Sequence, residues 1–388
     1  MPNMLQSTNL HPSRFIARSP DERPQIFEIN WLLVALVTLL GVIGVAMIYA
    51  ASDGVWTGGA FQHSVRVGVG LVLMVGLAFS DIRIWHWLAY PAYAGALVLL
   101  VAVEFLGLTI NGSQRWIDLG VMRVQPSEVM KPALVLALAR YYHDLPDWRV
   151  SRPEGLLGAL LIIGAPMVLI LRQPDLGTTL LLAATGLVMV FLAGVRWRVI
   201  GLAAVGAAIA LPLFYFYGLK PYQRERIATF LDSDRDPLGA SYQLTQSRIA
   251  LGSGGVEGKG YMQGTQRALD YVPENRTDFI FTVIGEEFGL IGGLSTMAIY
   301  AGVIGICVWL STQTKQRFSR LMILGLTTTF ALYIFINLAM VMGLAPVVGV
   351  PLPLISYGGT VVLVVMAAFG LMLSAHLYRE TELPRGQR

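Results

Sequence analysis

The sequence predicts an all-α polytopic membrane protein, with about ten transmembrane helices and a long ordered extracytoplasmic loop between the seventh and eighth. Three observations predict it. Of 388 residues, 55% are apolar and 13% are charged, against roughly 25% charged in soluble domains. The mean hydropathy is +0.62. The apolar residues fall in long runs near the roughly 20 residues that a spanning helix needs. A soluble enzyme of this length would lack the charge to cover its surface. A disordered chain or a nucleic-acid binder would be far more polar. The net charge of +4 is read through topology, not as attraction to nucleic acid. Cys307 is the single cysteine, which excludes an internal disulfide and any cysteine-based metal site.

Residues 1–28 are polar and proline-containing, and the run after them is long enough to span. They read as a cytoplasmic tail, not a cleavable signal. Residues 29–378 form the membrane domain, and 379–388 a second cytoplasmic tail. Seven charge-free runs are clear: Trp31–Ala51, Leu88–Val103, Gly155–Leu171, Leu176–Val195, Val199–Tyr217, Leu321–Leu344 and Val361–Leu377. Three more are less clean. Val67–Phe79 is short and continues upstream through Val65. Pro126–Tyr142 carries Glu128, Lys131 and Arg140. Phe279–Leu310 contains Glu286 and Glu287.

Lys and Arg set the orientation, because cytoplasmic loops carry the excess of positive charge. Arg14, Arg18 and Arg23 precede the first run. Arg83, then Arg149 with Arg152, then Arg196 with Arg198, then Lys315, Arg317 and Arg320 mark every second connection. Arg379, Arg385 and Arg388 follow the last run. The connections at 52–62 and 345–353 have no Lys or Arg and belong outside. This alternation supports ten spans with both termini in the cytoplasm.

Two outer segments break the rule. Segment 108–131 carries Arg115, Asp118, Arg123, Glu128 and Lys131. The large extracytoplasmic loop 218–278 holds sixteen of the 52 charged residues. A loop this long is functional or disordered. Its aromatic and apolar residues, among them Tyr222, Phe230, Tyr242, Leu244 and Tyr261, favour order.

The motifs lie near these segments. Gln125-Pro126-Ser127-Glu128-Val129-Met130-Lys131 opens the fourth helix, with Pro suited to its first turn. Glu128 and Lys131 share one face. An acid and a base at membrane depth line a polar cavity or form an orienting ion pair, and the two readings are compatible. Arg115 beside Trp116 suits a phosphate or sugar, while interfacial anchoring suits Trp116 better. Asp175, after Pro174, reads first as a helix cap and second as a ligand group. Gly252–Gly260 with Lys259 reads either as an anion cradle or as a turn needing positive φ. Its spacing is not that of a Walker A loop.

In Thr277-Asp278-Phe279, Asp278 is the last charge before a span. Thr277 capping the helix is one reading, and a carboxylate base at a cavity mouth is the other. Pro346–Gly359, with three prolines and paired glycines, reads as broken backbone lining a cavity. His11, His63, His86, His143 and His376 are scattered and suggest no metal site.

At these motifs the sequence resembles the SEDS family of cell-wall polymerases, the group of RodA, FtsW and SpoVE. The resemblance covers roughly 350 residues. It is strongest in Gln125–Lys131, Gln173–Thr178, Asp236–Gln266, Pro273–Phe281 and Pro346–Gly359, and the stretch Gly252–Gly260 with Gly264-Thr265-Gln266 looks like the RodA branch. Thr360-Val361 departs from the two small residues common in the family, with little expected effect.

The resemblance implies a peptidoglycan glycosyltransferase that polymerises lipid II in cell elongation. It implies a class B penicillin-binding protein as partner, with other elongation-complex proteins and membrane lipids, and no nucleic acid. It carries the essential Asp over to Asp278, and the motif Glu and Lys to Glu128 and Lys131. Inverting transfer needs a base on the acceptor hydroxyl and stabilisation of the pyrophosphate leaving group. Arg115, Lys131, Lys259 or a divalent cation such as Mg²⁺ or Mn²⁺ can supply the second, and Ser356 and Tyr357 are further substrate-binding candidates. A lipid II flippase and a non-catalytic scaffold are the alternative functions. Polar residues grouped at the outer face, without visible repeat symmetry, favour chemistry over transport.

Overall fold

The computed structural model describes residues 26–110, 113–118, 120, 122–218, 224, 240–265 and 276–384. Three helices open the bundle: α1 (Trp31–Ala50), α2 (Phe61–Ala78) and α3 (Ile82–Leu106). Three short strands follow, β1 (Leu108–Ile110), β2 (Ser113–Asp118) and β3 (Arg123–Val124), paired antiparallel in the order β1-β2-β3. Then come α4 (Pro126–Asp144), α5 (Pro153–Arg172), α6 (Leu176–Leu192) and α7 (Trp197–Leu213). The last four are α8 (Ala240–Ser253), α9 (Ile280–Gln313), α10 (Arg317–Val341) and α11 (Gly359–Leu377).

Among the described residues, seven helices (α1, α2, α3, α5, α9, α10 and α11) are long and apolar enough to cross a membrane. α6 is a shorter apolar helix. α4 with its charges and the 17-residue α7 occupy the remaining two predicted runs. The short strands add to the predicted all-helical design. They form because 108–124 must turn at the bundle end, where no helix continues to satisfy its backbone.

Local chemistry sets the helix ends. Asn30 Oδ1 accepts from Leu33 N at 2.9 Å, and Asp81 Oδ1 accepts from Arg83 N at 2.8 Å. Pro126 and Pro153 occupy first turns, where a missing N–H costs nothing. Burial sorts the helices into two layers. In their most apolar stretches, 78% of α11 and 67% of α10 are buried inside the protein, against 22% of α3. α4 is also central, with Met130, Leu134, Ala137 and Leu138 fully enclosed. The outer helices present their apolar faces to lipid. The α2–α11 crossing is close because both helices put glycines there. A Cβ on Gly70 would meet Met366 at 2.7 Å, and one on Gly370 would meet the Met74 carbonyl at 2.7 Å.

The glycine-rich segment has a structural task. Gly289 takes φ 62°, ψ −156° and breaks α9, leaving carbonyls and N–H groups on either side without helical partners. The 254–260 segment fills that gap. Lys259 N and Gly260 N donate to the carbonyls of Glu286 and Glu287 at 3.0 and 2.9 Å, and Leu290 N and Ile291 N donate to Gly255 and Val256. A Cβ on Gly258 would lie 2.2 Å from the Glu287 carbonyl oxygen, and Gly258 itself has φ 85°. The N–H groups of Lys259 and Gly260 therefore serve α9, and the turn reading replaces the anion-cradle reading at these positions.

Candidate active site

A cavity of about 200 Å³ opens at one end of the bundle. Its wall includes Gln125, Asp175 and Gly358, the residues that precede α4, α6 and α11, together with Asp278 just before α9. Four helix N-termini thus converge on one space. Their dipoles make it favourable for negative charge.

Glu128 and Lys131 come from the first turns of α4 and are 4% and 3% exposed. Lys131 Nζ lies 2.6 Å from Glu128 Oε1 and also contacts the Tyr333 hydroxyl. That hydroxyl donates to Glu128 Oε2 at 2.5 Å, and the ammonium sits 4.3 Å from the Tyr333 ring centre. Three ionisable groups form a closed set, so the buried charges are compensated. Tyr333 was not singled out in the sequence. Its one signal is that it lies four residues before Asn337 in an otherwise apolar run, which puts two polar groups on one face.

Asp278 lies on the cavity wall, in the turn before α9. Asn337, fully buried, donates to the carbonyls of Asp278 and Val350, both at 2.7 Å. Ser356 Oγ donates to the Thr277 carbonyl at 2.5 Å and accepts from Leu352 N at 2.8 Å. Tyr357 N donates to the Arg276 carbonyl. The broken 346–358 segment therefore clasps the turn that carries Asp278. Thr277 is not the cap of α9. Phe279 occupies that place, without a side-chain cap bond.

Asp175 is a cap. Oδ1 accepts from Thr178 N at 3.1 Å, and Oδ2 from the Thr178 hydroxyl at 3.0 Å. Arg115 reaches across from β2. Its Nε donates to the Gln173 carbonyl at 2.9 Å, a second nitrogen donates to the Pro174 carbonyl, and the third lies 3.7 Å from Asp175. Arg115 lines the cavity and also ties the meander to the 173–175 turn. Trp116 forms part of the cavity wall too.

Arg115, Glu128, Lys131, Asp278 and Tyr357 line this one cavity. Two other candidates do not. Ser356 is 2% exposed and holds backbone. Lys259 pairs with Glu286 at 2.8 Å and with the Thr265 hydroxyl at 2.7 Å, beside the α9 break. Its position follows the docked 254–260 segment, which sets it against Glu286. Thr360 has more to do than its sequence position suggests. Its hydroxyl donates to the Arg123 carbonyl at 3.0 Å and accepts from Gln125 N at 3.2 Å, joining β3, α4 and α11. Arg66, also unforeseen, stacks 4.8 Å from the Tyr357 ring, while the Tyr357 hydroxyl bonds to Gln62.

The histidines are not all scattered in space. His86 and His143 meet at 5.3 Å between ring centres, at the other end of α4. Of the predicted large loop, 219–223, 225–239 and 266–275 lie outside the described residues, as do 1–25 and 385–388 of the tails.

Comparison with known proteins agrees with this architecture. A family model for FtsW, RodA and SpoVE, described as cell cycle protein, matches residues 30–381. The chain is 42% identical to peptidoglycan glycosyltransferase MrdB of Escherichia coli (strain K12), over 90% of this chain and 93% of that protein. It is 32% identical to stage V sporulation protein E of Bacillus subtilis (strain 168), over 89% and 96%. Among solved structures it matches a chain of a peptidoglycan synthase complex at a TM-score of 0.80 and 31% identity, covering 91% of this chain and 99% of that one. It also matches the rod shape determining protein RodA of Thermus thermophilus at 0.69 and 28%, covering 91% and 98%. With the match running almost end to end through the helices that build the cavity, this chain belongs to the FtsW/RodA/SpoVE family.

Proposed function

We propose that this protein is the peptidoglycan glycosyltransferase of cell-wall elongation, polymerising lipid II into glycan strands. The observation that carries the proposal is the cavity. It gathers Asp278, Glu128, Lys131 and Arg115 where four helix N-termini meet, in a chain 42% identical to a named peptidoglycan glycosyltransferase.

The chemistry follows from the site. The acceptor is a sugar hydroxyl, and Asp278 takes its proton as it attacks the anomeric carbon. The turn held by Asn337 and Ser356 keeps that carboxylate placed. The leaving group is a lipid pyrophosphate. Lys131, Arg115 and the converging N-termini stabilise its charge where it develops. Glu128 holds the Lys131 side chain in place through their ion pair. If a divalent cation such as Mg²⁺ or Mn²⁺ takes part, the hard carboxylate oxygen of Asp278 on the cavity wall would hold it, with Asp175, which caps α6, nearby in the same lining. When bound, such an ion would neutralise pyrophosphate charge.

The protein spans the bacterial plasma membrane with both termini in the cytoplasm. The Lys/Arg pattern supports a cavity on the periplasmic side, where lipid II is presented. A class B penicillin-binding protein is the partner, and the structural match to a synthase complex supports that reading. Purified protein, alone and with such a partner, is incubated with labelled lipid II. Glycan strands form with wild type and disappear with Asp278→Ala. Absence of strands in both wild-type conditions would overturn the proposal.

A further inference from the structure

We infer that the end of the bundle opposite the cavity carries a divalent-metal site of the zinc class, with His86, His143 and Asp144 as ligands. α3 and α4 run antiparallel, so the second turn of α3 lies beside the last turn of α4. That brings together side chains distant in sequence. The ligating atoms of the three residues all lie within 4.8 Å of one another.

The donor set is specific. Two borderline imidazole nitrogens and one hard carboxylate oxygen suit Zn²⁺ and leave a fourth position for water. His86 Nε2 faces Asp144 Oδ1 at 3.9 Å. Among the described residues that nitrogen is buried without a hydrogen-bond partner. His86 and His143 are 6% and 3% exposed. The Asp144 side chain is 26% exposed, which gives an ion a path from solvent.

The surroundings orient the ligands. Phe318, fully buried at the start of α10, packs edge-on against both rings, at 5.1 and 6.4 Å. Arg140 Nε lies 3.7 Å from Asp144 Oδ2, so the other oxygen is the one turned to His86. Arg140 is itself fixed. It donates to the carbonyls of His86 and Trp87 at 2.9 and 3.0 Å and stacks 4.7 Å from the Tyr90 ring. A carboxylate held by an outer partner is a regular feature of metal sites. Zinc bonds of about 2.0–2.1 Å put ligand atoms roughly 3.3 Å apart, so binding draws the three groups in by about an ångström. A metal here would pin α3 to α4, the helix whose opposite end carries Glu128 and Lys131.

The test uses full-length protein with any affinity tag removed, stripped with EDTA, reloaded with Zn²⁺ and dialysed. Metal content is then measured by mass spectrometry. Wild type retains one equivalent per chain and melts at a higher temperature with Zn²⁺ than without. Co²⁺ in place of Zn²⁺ gives the visible d–d bands of a tetrahedral N,O site. His86→Ala and Asp144→Asn lose the equivalent and the bands; Asp144→Asn, at a partly exposed position, guards against loss of fold as the cause. Wild type that retains no metal would overturn the inference. So would both variants retaining as much metal as wild type.

Discussion

Lys131–Glu128 and Lys259–Glu286 are the same pair of side chains at almost the same separation, 2.6 and 2.8 Å. Their surroundings make them different. Lys131 and Glu128 sit three residues apart on one helix, are 3% and 5% exposed at the side chain, and face the cavity with Tyr333. Lys259 is 25% exposed and reaches from a docked loop to Glu286 beside a broken helix. In the first pair, helix geometry fixes the partners before the protein folds around them. In the second, the pair exists only because the 254–260 segment supplies the backbone bonds that Gly289 removes from α9. Identical chemistry thus serves a site in one place and a splice in the other.

This contrast can be broken from either side. The largest effect is expected for Lys131→Met. It leaves Glu128 buried without its counter-ion, with only the Tyr333 hydroxyl bonded to it, at a cost of about 3–5 kcal/mol, and removes a cation from the cavity. Polymer synthesis from lipid II should disappear. Glu128→Gln with Lys131→Met should regain much of the melting temperature without regaining activity. If the double variant polymerises normally, the pair is only an orienting device.

Gly258→Ala comes next. The added Cβ meets the Glu287 carbonyl at 2.2 Å and the residue is held at φ 85°, so the loop must shift, at roughly 1–3 kcal/mol. Thermal unfolding should fall accordingly, and hydrogen exchange should rise at Lys259 and Gly260. Unchanged exchange would mean that the splice is not needed. Lys259→Ala is the mildest. It removes the cation from Glu286, which keeps the Thr265 hydroxyl, costing about 1–2 kcal/mol, and should lower thermal stability while leaving measurable polymerisation. Loss of activity as complete as for Lys131→Met would erase the distinction between the two pairs.

Much of the fold was legible because the spans announce themselves by missing charge. Seven runs were clean, and the three weaker ones, opening near Val65, Pro126 and Phe279, also became helices. The boundaries of α2 and α3 moved outward because Gln62, His63 and Arg83 are polar residues that a helix end accommodates at an interface. Asp175 as a cap was readable because capping is a local bond between neighbours. The 108–124 meander was not readable. Its strands are short, and Arg115 ties them to a turn some 58 residues away in the chain.

By itself, the sequence determined the class of molecule, the order of its apolar helices, and the local pairing of Glu128 with Lys131. These follow from hydropathy, helical periodicity and distances of a few residues. Only the tertiary structure decided which candidates share a cavity. It placed Asp278, Arg115 and Tyr357 beside Lys131, turned Ser356 into a backbone clasp, sent Lys259 to α9, and brought Tyr333 and Asn337 in. It also joined His86 to His143. The physical reason is common to all of these. Each depends on segments distant in the chain meeting in space, and such a contact leaves no periodic mark in the sequence of either.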